Sequence, residues 1–154
     1  MQLKRSIDVL KNDILLAIVG ATLGKVAIVE KMEPFTIQRS LAVFRPIPEL
    51  MHFKYLAYFF QSYSFQRILW KNAGFSAQPG IYLESLKNFH CGLPSIQEQQ
   101  QIVIFLDSET ERIDLIISRI DKEIVLLQEY RTALISEVVT GKIDVRDHSF
   151  INHY

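Results

Sequence analysis

Apolar residues recur at alternating steps of four and three along the C-terminal third of the chain. Eight of the ten positions in this repeat are aliphatic, with Thr110 and Arg131 as the polar exceptions. A sustained seven-residue repeat of this kind is typical of a helix that pairs with another helix in a coiled coil. The repeat predicts a helix-pairing seam whose aliphatic members are Leu106, Ile113, Ile117, Ile120, Ile124, Leu127, Leu134 and Val138.

Capping signals bound this pattern on both sides. Ser95 follows Pro94 and precedes Glu98 by three positions, which is the spacing of a capping box. Gly141 stands where a helix takes a left-handed residue after its last turn, and no Pro or Gly lies between these signals. The sequence therefore predicts one continuous helix over residues 95–141.

Acidic residues flank the seam on both sides. In a parallel pair of identical helices, one flank of each helix meets the other flank of its partner. In an antiparallel pair each flank meets its own copy. Because both flanks are acidic, either orientation places acidic residues next to each other. The seam therefore favours a different helix as its partner. The acidic flanking positions are Asp107, Asp114 and Asp121 on one side and Glu109, Glu123 and Glu137 on the other.

Shorter patterns precede the helix. Residues 13–19 and 25–29 are apolar or β-branched runs separated by a glycine-bounded turn, which predicts a hairpin or two neighbouring strands. Residues 35–44 alternate in part and predict a third strand, although Arg39 then falls on its apolar side. Together with the helices that follow, these runs favour an α+β fold with a small mixed or antiparallel sheet.

Residues 52–71 contain no helix breaker and are dense in aromatic side chains. We expect one amphipathic helix over this range, with its aromatic residues in the core rather than stacked on bases. After it the pattern predicts a loop over residues 72–80, a short strand or helix over 81–88 and a strand over 89–93. The expected apolar face comprises Leu56, Phe59, Phe60, Tyr63, Arg67 and Ile68.

The charges are unevenly distributed although the net charge of the 154 residues is zero. Residues 1–90 carry a net charge of +5 and residues 91–154 carry −5. The N-terminal part therefore attracts anions more readily than the helix does, either as a basic binding face or by chance. We expect a cytoplasmic protein, because no apolar run reaches the roughly 18 residues of a membrane span and no leader-like segment opens the chain.

Candidate chemistry is sparse. Gly20, Gly24 and Lys25 suggest a phosphate-binding loop, but the glycines are one residue too close and Val26 replaces the hydroxyl residue that would hold magnesium. A hairpin turn that exposes Thr22 and Lys25 is the better interpretation. The four histidines show no ligand spacing and the single cysteine, Cys91, has no partner for a disulfide. We therefore expect no metal and no catalytic centre in this chain.

Two motifs and their order carry a family resemblance. The resemblance extends upstream to a set of shorter motifs, and it covers roughly residues 8–147. The motifs are LPxxxEQxxI at residues 93–102, YRxxLISExVTGKIDVR at 130–146, DIL at 13–15, GAxxGKV at 20–26, QxxL at 38–41, and Gly74 ahead of Leu83 and Leu86. In this combination the chain resembles the specificity (S) subunit of type I restriction–modification systems.

The resemblance implies a division of the chain into three parts. Residues 1–94 would be part of a DNA target recognition domain, residues 95–141 a spacer helix and residues 142–154 a C-terminal tail. In that family two recognition domains are separated by long helices that pair antiparallel, so the usual partner of the seam is a second spacer helix. Because this chain has one recognition segment and one spacer, we expect a half subunit, a truncated gene or an expressed fragment.

The resemblance also implies a function. The chain would bind one half of a split site in double-stranded DNA and would dock modification (methyltransferase) subunits and, through them, the restriction subunit. It would have no active site and no cofactor of its own, with S-adenosylmethionine on the modification subunit. The alternative is a coiled-coil assembly or scaffold protein whose globular part binds another protein.

Base recognition would require polar groups on loops, with Lys and Arg on the phosphates. The position of each residue in the recognition-domain pattern gives eight candidates for contact with DNA. These are Thr22, Lys25, Gln38 and Arg39 from the first half of the segment and Lys71, Asn72, Ser76 and Gln78 from the second.

Overall fold

The computed structural model describes residues 9–30, 38–74 and 79–146. Within these ranges three short strands and three short helices precede one long helix, so the predicted α+β fold is confirmed. The strands are β1 (Ile14–Ala17), β2 (Val26–Ile28) and β3 (Leu41–Phe44), and the helices are α1 (Phe53–Gln61), α2 (Tyr63–Asn72), α3 (Leu83–Leu86) and α4 (Ile96–Val139).

The three strands form an antiparallel sheet in the order β2-β1-β3. Ile14 of β1 lies opposite Ile28 of β2 and Phe44 of β3, which confirms the predicted hairpin. The third strand is shorter than expected. Residues 38–40 form a turn in which Leu41 N donates to Gln38 O at 3.1 Å, and residues 35–37 lie outside the described residues. Arg39 therefore precedes the strand instead of occupying its apolar side.

The prediction of one helix over residues 52–71 is wrong, because the chain breaks at Ser62 into α1 and α2. Ser62 has extended backbone angles (φ −63°, ψ 145°). Its Oγ donates to Phe59 O at 2.7 Å and accepts from Phe65 N at 3.3 Å, so one hydroxyl ends α1 and caps α2.

The break also changes which side chains face the core. Tyr63 and Ile68 belonged to the predicted apolar face, yet they are 80% and 43% exposed. Phe65 and Leu69, which the continuous helix would have turned outward, are buried, while Phe60 is buried as expected. Ring contacts of Phe60 with Phe44 (4.7 Å between centroids) and with Phe65 (4.8 Å) tie both helices to the sheet.

The structure of the segment before α4 agrees only in part with the prediction from the sequence. The predicted short element over residues 81–88 is the four-residue helix α3. The strand predicted over 89–93 is wrong, since these residues have irregular backbone. Phe89 packs on the core, with its ring 5.3 Å from that of Phe65, and Tyr55 Oη donates to Gly92 O at 2.9 Å. A side chain of α1 therefore holds this segment at Gly92, where the sequence predicted a strand.

Helix α4 confirms the predicted long helix and both of its ends. Ser95 Oγ accepts from Glu98 N at 3.3 Å. At the other end Gly141 has φ +75°, Gly141 N donates to Val138 O and Lys142 N donates to Glu137 O at 2.9 Å. This pair of bonds is the Schellman motif. At 1.5 Å per residue the helix is about 66 Å long.

The chain falls into two compact units, Met1–Leu106 and Asp107–Tyr154. The first unit includes the start of α4, which Gln99 anchors. Gln99 is fully buried, and its Nε2 donates to Leu50 O and Pro94 O at 2.9 Å while its Oε1 accepts from His52 N at 2.8 Å. The boundary predicted at residue 94 stays a prediction.

Candidate nucleic-acid interface

The turns of the first unit meet at one end of the sheet, where β1 ends and the antiparallel strands β2 and β3 begin. Ile18 N donates to Ser40 O at 2.8 Å, which attaches the turn before β3 to the end of β1. Ile81 N donates to Ile18 O at 2.9 Å and Gly20 N donates to Pro79 O at 2.7 Å, which attaches the chain between α2 and α3. We call the surface formed by residues 18–25, 38–40, 72–74 and 79–84 the turn end.

The turn between β1 and β2 is docked firmly on α2. Gly20 and Gly24 both have left-handed backbone, with φ of +85° and +86°. Gly24 O accepts from Gln66 Nε2 at 2.8 Å. A Cβ at Gly24 would lie against Gln66 Oε1 and 3.1 Å from Leu69 Cδ2, so a side chain would push the turn off α2. The glycine pair therefore serves a hairpin turn and not a phosphate loop.

Six of the eight candidates for DNA contact fall at or beside the turn end, and all six are exposed. Asn72 ends α2 and donates its Nδ2 to Ile68 O at 2.8 Å. The other two candidates, Ser76 and Gln78, lie outside the described residues. Contact with DNA stays a prediction for all eight. The six are Thr22 and Lys25 in the first turn, Gln38 and Arg39 in the second, and Lys71 and Asn72 in α2.

The turn end contains an open cleft of about 870 Å³. Its lining includes two of the candidates, Arg39 and Asn72, and two residues that the sequence did not single out, Tyr82 and Glu84. Tyr82 is 84% exposed, and Glu84 Oε2 forms an ion pair with Lys87 Nζ at 2.8 Å. No sequence motif indicates these two residues, because their place depends on the pairing of residues 79–81 with the end of β1. Apolar groups and backbone from Ile18, Val19, Gly74, Gly80, Ile81 and Leu83 complete the lining.

Asp13 and Arg45 form a separate, structural pair. Asp13 is buried, and its carboxylate accepts from Arg45 Nε at 2.8 Å, from Arg45 Nη2 at 2.7 Å and from Leu10 N at 2.8 Å. The hydrogen bonds from Arg45 lower the pKa of Asp13 and outweigh the opposing effect of burial. This pair closes the sheet opposite the turn end and keeps Arg45 engaged within the protein.

The described residues include no cluster of His, Cys, Asp and Glu that could hold a metal ion. Burial raises the pKa of the Cys91 thiol. A nucleophilic cysteine requires the opposite shift, toward the thiolate.

The predicted seam of α4 is a line of side chains exposed on the second unit. Aliphatic side chains exposed over several turns form a surface that a partner helix covers favourably. Whether a helix pairs here stays a prediction. The exposed fraction is 38–59% for Ile113, Ile117, Ile120, Ile124, Leu127 and Leu134. Among the described helices, none has the length and apolar character of a membrane span.

A small α+β unit that gathers basic turns at one sheet end and continues into a long helix with an exposed apolar line fits a DNA specificity domain. Residues 3–125 match the model of the type I restriction modification DNA specificity domain, and the chain belongs to this family. A relative is the type I restriction enzyme EcoBI specificity subunit of Escherichia coli, which is 29% identical over 143 residues. The match covers 93% of this chain but 30% of that protein, so the chain spans less than a third of its relative.

Proposed function

We propose that this chain recognises one half of a split site in double-stranded DNA, as the specificity part of a type I restriction–modification complex. The observation that carries the proposal is the convergence of three polar, exposed chain segments at the turn end, where Lys25 and Arg39 supply positive charge and Lys71 of α2 precedes Asn72. Loops on a rigid sheet can enter the major groove while lysines beside them neutralise phosphates.

Within this proposal the candidates have two roles. Lys25 and Lys71 set the register on phosphates, which gives affinity without sequence information. Thr22, Gln38 and Asn72 present hydroxyl and amide groups of the kind that reads base edges. Ser76 and Gln78 are proposed for the same role from the sequence alone.

The long helix supplies the assembly function. We infer that α4 docks modification subunits and pairs through its seam with a second spacer helix, on another polypeptide or on a second copy of this chain. The chain itself is non-catalytic in this proposal and binds no cofactor. Methylation belongs to the modification subunit with its S-adenosylmethionine, and the complex works in the cytoplasm.

A charge-removal experiment tests the DNA-binding face. In the triple variant Lys25→Ala, Arg39→Ala and Lys71→Ala, DNA affinity should fall, and the slope of log K against log salt should become shallower by about 2 to 3. Fluorescence anisotropy with duplex DNA between 50 and 300 mM salt, roughly the range where this effect is large, measures both quantities.

A matched control removes the same charge from α4 and the residues that follow it, through Arg119→Ala, Lys122→Ala and Lys142→Ala. All three residues are exposed. The control should bind DNA as the unaltered chain does. Equal salt slopes for the triple variant and the unaltered chain would show that the turn end is not the DNA-binding face.

The exposed seam also favours a second candidate function, a scaffold protein whose globular unit binds another protein. This alternative predicts a defined oligomer and DNA binding that is absent or insensitive to salt. The anisotropy experiment therefore separates the two candidates directly.

A further inference from the structure

The cleft at the turn end combines a strong donor with a strong acceptor. Arg39 contributes a guanidinium group and Glu84 a carboxylate, and both line the same cleft. Resting on the proposed DNA recognition, we propose that this cleft reads the major-groove edge of one G·C base pair. Arg39 donates to guanine O6 and N7, and Glu84 accepts from the N4 amino group of the paired cytosine.

Two features of Arg39 favour hydrogen bonding to a base over contact with a phosphate. Hydrogen bonds anchor its turn on both sides, from Leu41 N to Gln38 O and from Ile18 N to Ser40 O. In the described part of the chain its guanidinium forms no ion pair, whereas Arg45 and Arg112 are engaged with Asp13 and Glu109. A planar fork of donors that no described residue engages in an ion pair matches the O6 and N7 acceptors of guanine.

Glu84 decides what the cleft can accept. A carboxylate repels a phosphate group, so the cleft does not suit the DNA backbone, whereas Lys25 in the first turn and Lys71 in α2 do. A carboxylate does accept a hydrogen bond from cytosine N4. Its ion pair with Lys87 is on the surface, with both side chains mostly exposed, and such pairs contribute so little that a base donor can replace Lys87.

Apolar side chains and closely packed backbone form the rest of the cleft. Ile18, Val19 and Ile81 give apolar surface, and a Cβ at Gly80 would stand 3.3 Å from Ile18 O, so the two backbone segments approach closely here. The base edges lie at the bottom of the major groove, so readout requires side chains that extend from the protein surface. Arg39 and Glu84 are both exposed and can extend from the cleft in this way.

Selection from a random duplex DNA pool by the full chain, followed by sequencing, tests the inference. The unaltered chain should enrich a motif that contains a G·C pair. Arg39→Ala and Glu84→Ala should each relax the preference at that same base pair, by about 5- to 150-fold. Arg39→Lys keeps the charge and loses the fork, so it should relax the same position while its salt slope stays unchanged.

Two control variants and the melting temperature complete the test. Lys87→Ala removes the surface partner of Glu84 and should keep the motif, while Lys25→Ala should weaken all sequences alike. Both Arg39 and Glu84 are exposed, so equal melting temperatures should confirm that their variants fold. If the unaltered chain enriches no motif, the proposed function itself fails. If it enriches a motif that Arg39→Ala and Glu84→Ala leave intact, or change at two different base pairs, the cleft inference alone is overturned.

Discussion

At the scale of single residues, two buried polar side chains stabilise the globular unit through fully formed hydrogen bonds. Asp13 joins the start of β1 to Arg45, and Gln99 joins the first turn of α4 to the loop before α1. Buried polar groups of this kind cost little while they are paired and much when one partner is removed. Substitution at either site should therefore lower the stability of the globular unit by a measurable amount.

Removing the guanidinium in Arg45→Met should lower the free energy of unfolding by about 2 kcal/mol, because the carboxylate of Asp13 stays buried with fewer donors. Arg112→Met is the matched control, since it breaks an exposed pair with Glu109 and should cost less than about 0.5 kcal/mol. Urea denaturation of both variants measures the difference. Equal costs would show that the Asp13 pair contributes no more than a surface ion pair.

The same pair makes stability depend on pH. Arg45 lowers the pKa of Asp13 in the folded protein, so its contribution is present above the ordinary value of 3.8 and is lost as the pH falls through the lowered value. The unaltered chain should therefore lose stability below pH 3.8, and Arg45→Met should lose less over that window. A parallel decline of both proteins would contradict this assignment.

Gln99→Glu should destabilise the first unit by about 3 kcal/mol, because it replaces the Nε2 donor with oxygen facing Leu50 O and Pro94 O and buries a charge. Gln100→Glu makes the same chemical change on an exposed neighbour and should be within about 0.5 kcal/mol of the unaltered chain. Thermal unfolding followed by circular dichroism compares the two. Similar melting temperatures would mean that Gln99 does not anchor α4.

At the scale of elements, the sequence predicted the features that depend on residues close together in the chain. The caps of α4 lie within five residues of its ends, and the β1–β2 turn is set by Gly20 and Gly24, so both followed from the sequence. The break at Ser62 did not, because no Pro or Gly marks it and its hydroxyl competes with the helix only when Phe65 gains burial in the core. The irregular path of residues 89–93 depends on a distant partner, Tyr55.

Ser62→Ala tests the element boundary. It removes the cap of α2 and should cost about 1 kcal/mol. Ser64→Ala changes an exposed serine inside α2 and should be neutral or slightly stabilising, because alanine favours helix. Chemical denaturation measures the free energy of unfolding of both variants. A loss of stability in Ser64→Ala as large as that in Ser62→Ala would argue against the capping role.

The acidic flanks of the seam predict that any self-pairing of α4 depends on salt. Screening lengths fall from about 10 Å at 0.1 M to about 3 Å at 1 M, so any self-association across the acidic flanks should strengthen as salt rises. Ile120→Lys should abolish it, whereas Leu126→Lys, which alters an exposed side chain off the seam, should not. Sedimentation velocity of both variants at low and high salt measures this, and self-association that weakens with salt would contradict the expected pairing.

At the scale of the whole molecule, the candidate interface combines parts that the sequence could and could not supply. Resemblance to the family placed Lys25, Arg39 and Asn72 among the candidates, and the fold gathers them at the turn end. Tyr82 and Glu84 emerged only from the structure, since long-range pairing between Ile18 and Ile81 brings them to Arg39. Local sequence patterns carry no signal for such a pairing.

Mapping of methylated bases tests the central claim most directly. The chain is co-expressed with a type I modification subunit, the complex is purified and its methylated sites in DNA are sequenced. Docking through α4 predicts that the subunit co-purifies. Recognition by the turn end predicts that the modified sites share one split motif and that this motif changes in the Arg39→Ala variant. Failure to co-purify, or methylation without a shared motif, would contradict the claim that this chain is the specificity part of such a complex.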